Sequence, residues 1–138
     1  MDRLAATLFS THISRASAAV LFVGGLALLF ASDVILPRLI PAFPPAASWL
    51  GQLLAAAWLG VSMLNWSHRS ALLGGIYGRP VVTTNAVLYF VSGTSLLKIV
   101  RSSDQPALWL LTVPAIIFAA LYVWLMFRGP FAHDLPPA

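Results

Sequence analysis

The chain has no cysteine and no glutamate, and very few charged residues of any kind. Charged side chains make up 9% of its 138 residues, compared with about 25% in typical soluble domains. The absence of cysteine excludes disulfides, thiolate metal sites and a cysteine nucleophile. Hydrophobic residues make up 59% of the chain. This composition indicates an integral membrane protein with room for about four spanning helices of about 20 residues each.

Four apolar segments predict transmembrane helices within a single domain, residues 1–138. The predicted spans cover about residues 16–35, 48–66, 80–100 and 107–127. Four prolines between residues 37 and 45 mark the first connection, and Pro80 suits the first turn of the third span. The predicted fold class is therefore all-α, an integral membrane bundle of four transmembrane helices.

The second span has the marks of a helix that packs closely while crossing a bilayer. Trp49 and Trp66 stand near its two ends, about 26 Å apart along a helix, which matches the spacing of the aromatic belts of a membrane. Small residues four apart, Gly51 with Ala55 and Ala56 with Gly60, predict that other helices approach this one closely.

The distribution of the arginines and the lysine along the chain predicts its orientation in the membrane. With four spans, both termini and the link between the second and third spans lie on one side of the membrane. That side carries Arg3, Arg15, Arg69, Arg79 and Arg128, against Arg38, Lys98 and Arg101 on the other. The positive-inside rule then favours cytoplasmic termini in a bacterial-type inner membrane. Because these cations stand singly at the ends of apolar segments, nucleic-acid binding is rejected.

The link between the second and third spans concentrates polar residues in the stretch NWSHRSALLGGIYGRPVVTTN, residues 65–85. Arg79 precedes the start of a helix, where backbone N–H groups and the helix dipole favour an anion. With His68 and Arg69 it could hold a lipid phosphate or a substrate carboxylate, although the positive-inside rule alone would also place arginines here. The candidate ligand-binding residues of this stretch are Asn65, His68, Arg69, Tyr77 and Arg79.

The third span carries a polar stripe. At 100° per residue, Asn85, Tyr89 and Ser92 share one face. The simplest packing turns a broad face of the second span, with Ser48, Gln52, Ser62, Trp66 and Arg69, toward this helix. Two interpretations stay open: Gln52, Asn85 and Tyr89 line a small ligand cavity, or these groups only form hydrogen bonds between helices.

Lys98 is the only lysine and lies near the end of the third span. An ionisable group inside a membrane is a functional candidate, but a lysine here can also extend its long stem to the interface. Asp33 lies on the same side of the membrane, so the sequence also allows an ion pair between Asp33 and Lys98.

Several chemistries are missing from the sequence. No span has paired carboxylates or a Glu-x-x-His arrangement, and GGIYGRP lacks the strand and the lysine of a phosphate-binding loop. An enzyme is therefore not favoured, and no cofactor is predicted. His12 and His68 fall near the same membrane face, which leaves haem or pigment ligation as a weaker alternative, whereas His133 lies in a proline-rich tail.

The run GGLALLFASDVILPRLIP, followed by WLGQLLAAAWLGVSMLNW, resembles small bacterial four-helix membrane proteins of the DoxX-like type. The resemblance covers mainly the first half of the chain and rests on hydropathy and spacing. It implies the four-helix fold and a role as an accessory membrane subunit or a component of redox and stress pathways. It carries over no catalytic residue.

The sequence thus predicts a small polytopic membrane protein without an evident catalytic site. It would bind a lipid or an apolar small ligand between the second and third helices, or act as an accessory subunit of a membrane complex. Its expected partners are membrane lipids and either copies of itself or a larger membrane complex. The alternative is a membrane enzyme or transporter subunit that uses Lys98, Asn85 and Arg79.

Overall fold

A computed structural model describes residues 3–71, 73 and 78–128. Within these residues the chain forms four long helices: α1, Arg3–Leu39; α2, Trp49–Ser67; α3, Arg79–Ser102; and α4, Trp109–Arg128. Each is long and apolar enough to cross a membrane. Short 3₁₀ turns at Pro45–Ala47 and Pro106–Leu108 lead into α2 and α4, each opening with a proline whose fixed φ suits a first turn. The predicted four-helix membrane fold is confirmed.

Three predicted spans end within two residues of the observed helices, but α1 begins much earlier than residue 16. It covers 37 residues in two helical segments that meet at a kink, and it begins early because nothing between Arg3 and Arg15 stops a helix. Its regular geometry breaks once, at Ala31 (φ −136°, ψ 27°). Ala42, in the connection to α2, takes a left-handed φ of 60°.

The four helices form two hairpins. α1 packs along α2 and α3 packs along α4, whereas α2 and α3 touch only briefly. Small residues allow the close α1–α2 contact: a Cβ added at Gly51 would lie 2.7 Å from Ser32 Cβ, and one added at Gly25 would lie 3.3 Å from the Ala55 carbonyl oxygen. The pair Gly51 and Ala55 therefore serves helix packing, as predicted. Gly60 faces open space, with nothing within 4 Å of an added Cβ.

The packing of α2 corrects one expectation. The face with Gln52 and Ser62 was predicted to meet the third helix, but Ser62 is buried against α1 and donates a hydrogen bond to the Ala18 carbonyl oxygen (2.8 Å). Gln52 is exposed. The glycines of α1 and α2 permit close contact within the first hairpin, where most contacts of α2 lie. Among the described residues, Asn65 is the one polar side chain of α2 that bonds to α3.

Candidate functional site

Four side chains from three helices form a buried polar cluster near one end of the bundle. The cluster consists of Ser17 from α1, Asn65 from α2, and Asn85 and Tyr89 from α3, all at most 4% exposed. Asn65 Nδ2 donates to Asn85 Oδ1 (2.9 Å), and Asn85 Nδ2 donates back to Asn65 Oδ1. The remaining Asn65 proton goes to Ser17 Oγ (2.9 Å). The remaining Asn85 proton goes to the Val81 carbonyl oxygen (2.8 Å).

Each side-chain N–H and O–H group of the cluster can donate a hydrogen bond to an acceptor close by. Ser17 Oγ lies 2.8 Å from the Tyr89 hydroxyl and 3.4 Å from Asn85 Oδ1. If Tyr89 donates to Ser17 and Ser17 donates to Asn85, every amide and hydroxyl proton has an acceptor. A polar group left unpaired in hydrocarbon costs several kcal/mol, so this closed network fixes the contact between the two hairpins. Its members are neutral, which suits them to hydrogen bonding rather than to acid–base chemistry at neutral pH.

Tyr89 also begins a stack of aromatic rings that extends to α4. Its ring lies 4.9 Å from that of Phe118 and 5.9 Å from that of Tyr122, which is nearly parallel to it (8°). Tyr122 is fully buried. The hydroxyls of Tyr122 and Ser14 are buried without a hydrogen-bond partner in the described part of the chain. All four helices therefore contribute side chains to the core around the cluster.

A crevice of about 280 Å³ separates the two hairpins on the far side of Tyr89. Its walls come from all four helices and include Leu21, Trp58, Leu88, Leu111 and Ala115. It extends past Leu39, Leu54 and Leu110 toward the end of the bundle opposite the cluster. The polar cluster thus joins the hairpins near one end of the bundle, and the crevice lies between them on the other side of Tyr89.

Three hydroxyl side chains border this apolar crevice, and all belong to α3: Tyr89, Ser92 and Ser95. Their spacing of three residues places them along one face of the helix. Thr94 and Thr112 donate to carbonyl oxygens of their own helices, which is the usual arrangement in membranes. Ser92 and Ser95 make no such bond within the described residues, so their hydroxyls remain available to a ligand.

The predicted stripe of Asn85, Tyr89 and Ser92 thus divides between the two features. Asn85 belongs to the cluster, Ser92 lines the crevice, and Tyr89 borders both. Gln52 joins neither: it lies thirteen residues, about 20 Å, along α2 from Asn65.

The other predicted site residues among those described belong to neither the cluster nor the crevice. His68 Nδ1 lies 3.1 Å from the Leu64 carbonyl oxygen, and Arg69 donates to the Trp66 carbonyl oxygen (2.8 Å). Arg79 and Lys98 are both exposed and lie near opposite ends of α3, about 28 Å apart along its axis. These two residues therefore cannot meet around one small substrate. Tyr77 lies outside the described residues.

Two further pairs of residues were predicted from the sequence, Asp33 with Lys98 and His12 with His68. Asp33 and Lys98 are exposed, and no ion pair joins them. His12 is exposed and His68 is partly buried, while His133 lies outside the described residues. Among the residues described, no group of three His, Asp or Glu side chains gathers at a point where it could hold a metal ion.

Sequence reasoning missed the contribution of α1. Ser10, Ser14 and Ser17 are fully buried, and Ser10 Oγ accepts a hydrogen bond from the Leu73 backbone N–H (3.3 Å). Their spacing of four and three residues is the signal that could have identified this buried face. The predicted first span did not include this buried face, because two of the three serines precede that span.

Comparison with protein families, with curated proteins and with solved structures found no match to this chain. The proposed function therefore rests on the geometry of the polar cluster and the crevice.

Proposed function

We propose that this chain binds an apolar ligand, a hydrocarbon chain of a membrane lipid, in the crevice between its two hairpins. The observation that supports this most directly is a crevice of about 280 Å³ walled by four helices, close to the lower limit of about 300 Å³ for small-molecule pockets. Around a membrane protein, lipid chains are the abundant molecules of matching chemistry.

The hydroxyls of α3 give the crevice a polar side. Ser92 and Ser95 would donate hydrogen bonds to an oxygen of the ligand, such as an ester carbonyl, while the leucines contact its chain. This division between an apolar body and a few orienting polar groups is typical of ligand pockets. The protein would thus act as a non-catalytic lipid-binding component of a bacterial-type inner membrane, with cytoplasmic termini.

The polar cluster would support this function by holding the hairpins together at one end. Because the Tyr89 hydroxyl is hydrogen-bonded to Ser17 Oγ and the residue also borders the crevice, its ring forms a fixed inner wall. A ligand would then enter between the hairpins from the membrane without separating them.

Filling the crevice tests the proposal. Ser92→Phe adds a ring inside the crevice, whereas Val91→Phe adds one at a neighbouring position of α3 that is 56% exposed and faces outward. Native mass spectrometry of each protein, released from its own membrane in mild detergent, would measure retained small molecules. We expect Ser92→Phe to retain one lipid-sized mass fewer than wild type and Val91→Phe do.

Two outcomes would contradict the proposal. Equal retention by Ser92→Phe and Val91→Phe would place any bound lipid outside the crevice. A wild-type chain that is bare, or that carries only an added mass the size of a protein, would instead favour the accessory-subunit function.

A further inference from the structure

A second groove lies on the outer surface of the α1–α2 hairpin, away from the crevice. It has a volume of about 440 Å³ and is lined by Ala18, Ala19, Phe22, Ser62, Met63, Trp66 and Ser67. Ser62 is already bonded to the Ala18 carbonyl oxygen, so most of the surface that the groove offers is apolar. It is wide enough to accept a hydrocarbon chain.

The groove begins at the level of the lipid headgroups. Trp49 and Trp66 are both about half exposed (54% and 53%) and stand about 26 Å apart along α2, so each marks one aromatic belt. Trp66 and Ser67 form the outer end of the groove. Met63 and Phe22, about one turn further along their helices, lie toward the membrane interior.

Arg69 is held at this outer end. Its guanidinium carbon lies 4.7 Å from the centroid of the Trp66 ring, and its Nη1 donates to the Trp66 carbonyl oxygen (2.8 Å). The cation–π contact and the hydrogen bond leave the other guanidinium protons available for an anion.

Arg15 faces the same end from α1. It lies three and four residues before Ala18 and Ala19, which line the groove, so it shares their helix face. The bond from Asn65 to Ser17 sets the antiparallel register of α1 and α2, and by that register Arg15 lies opposite Ser67. Arg15 is exposed and has no ion-pair partner within the described residues.

Among the described residues, no acidic side chain lies at this end of the bundle. The acidic residues among those described are Asp33, in the last two turns of α1, and Asp104, just after α3, both on the opposite side of the membrane. Arg15 and Arg69 therefore both lie at the outer end of an apolar groove, at phosphate depth. Because their combined charge exceeds that of one phosphodiester, they favour a lipid whose headgroup has no cation of its own.

We propose that this groove binds one anionic phospholipid, with its phosphate between Arg15 and Arg69 and one acyl chain along Ala19, Phe22 and Met63. The site is independent of the crevice between the hairpins. The groove would select a lipid whose headgroup carries a net negative charge, whereas the crevice would select a hydrocarbon chain.

The test is a titration of delipidated protein in mild detergent with phosphatidylglycerol, followed by native mass spectrometry. Each arginine should contribute a factor of about five to the affinity for the lipid. The double variant Arg15→Gln/Arg69→Gln should therefore bind about 25-fold more weakly than wild type. The matched control, Arg38→Gln/Arg101→Gln, removes the same charge from exposed positions at the opposite end of the bundle and should bind as wild type does. Ala19→Phe, which fills the groove and keeps both arginines, should also weaken binding.

Three results would overturn the proposal. Equal weakening in the two double variants would mean that total charge, and not this groove, attracts the lipid. Phosphatidylcholine binding as tightly as phosphatidylglycerol would remove the anionic selectivity. Full binding by both Arg15→Gln/Arg69→Gln and Ala19→Phe would place the lipid elsewhere. None of these results depends on the behaviour of Ser92→Phe, so the two sites can fail separately.

Discussion

At the residue scale, the paired amides of Asn65 and Asn85 determine how the two hairpins meet. Each side chain donates to the other, and their remaining protons reach Ser17 and the Val81 carbonyl oxygen. Both residues are fully buried. If one amide lost its partner, its N–H and C=O groups would be buried without a hydrogen bond. The free-energy cost of burying those groups would exceed the contribution of the lost bond.

Asn85→Ala should therefore lower the free energy of unfolding by about 1–3 kcal/mol, measured by reversible unfolding in mixed micelles. The double variant Asn65→Ala/Asn85→Ala should cost less than the sum of the two single variants, because it leaves no amide unpaired. Thr112→Val is the control, since Thr112 is equally buried but donates only within α4, to the Leu108 carbonyl oxygen. An Asn85→Ala cost no larger than that of Thr112→Val would refute the role given to the cluster.

At the element scale, small residues select which helices pair. Gly51 lies so close to α1 that an added Cβ would stand 2.7 Å from Ser32 Cβ, whereas Gly60 of the same helix faces open space. Without a hydrophobic driving force between helices in lipid, close backbone contact is a main source of their association. The order of pairing along the chain, α1 with α2 and α3 with α4, follows from such contacts.

Gly51→Leu should destabilise the protein by about 1–3 kcal/mol, because α1 and α2 must separate to admit the side chain. Gly60→Leu, which makes the same exchange at an exposed position of α2, should change stability by less than about 0.5 kcal/mol. Thermal unfolding in detergent would compare them. If the two substitutions cost the same, close packing at Gly51 would not be what joins the first hairpin.

The sequence predicted the helices well because runs of about 20 apolar residues between prolines and charges have few alternatives in a membrane. It predicted the neighbours of α2 poorly. The polar face of α2 suits α1 and α3 equally on a helical wheel, and only three-dimensional packing reveals that Ser62 bonds to α1 while Asn65 also reaches α3. The stripe of Asn85, Tyr89 and Ser92 was identified, but its partner Ser17 was not.

At the scale of the whole molecule, hydrogen bonds join the two hairpins near one end of the bundle, and a crevice lies between them further along. The cluster and the aromatic stack of Tyr89, Phe118 and Tyr122 fill the end near the 65–85 link. Beyond Tyr89 the crevice lies between the hairpins and is lined by all four helices. A lipid chain is proposed to occupy this crevice when the protein lies in its membrane.

Labelling in the native membrane with a lipid that carries a photoreactive group in its acyl chain tests this claim most directly. Peptide mapping would then locate the adducts on α3. We predict that they concentrate on Leu88, Ser92 and Leu96, which line the crevice, and are sparse on Val87 and Val91, which are more exposed but face outward. Adducts distributed in proportion to exposure, richest on Val87 and Val91, would contradict the claim.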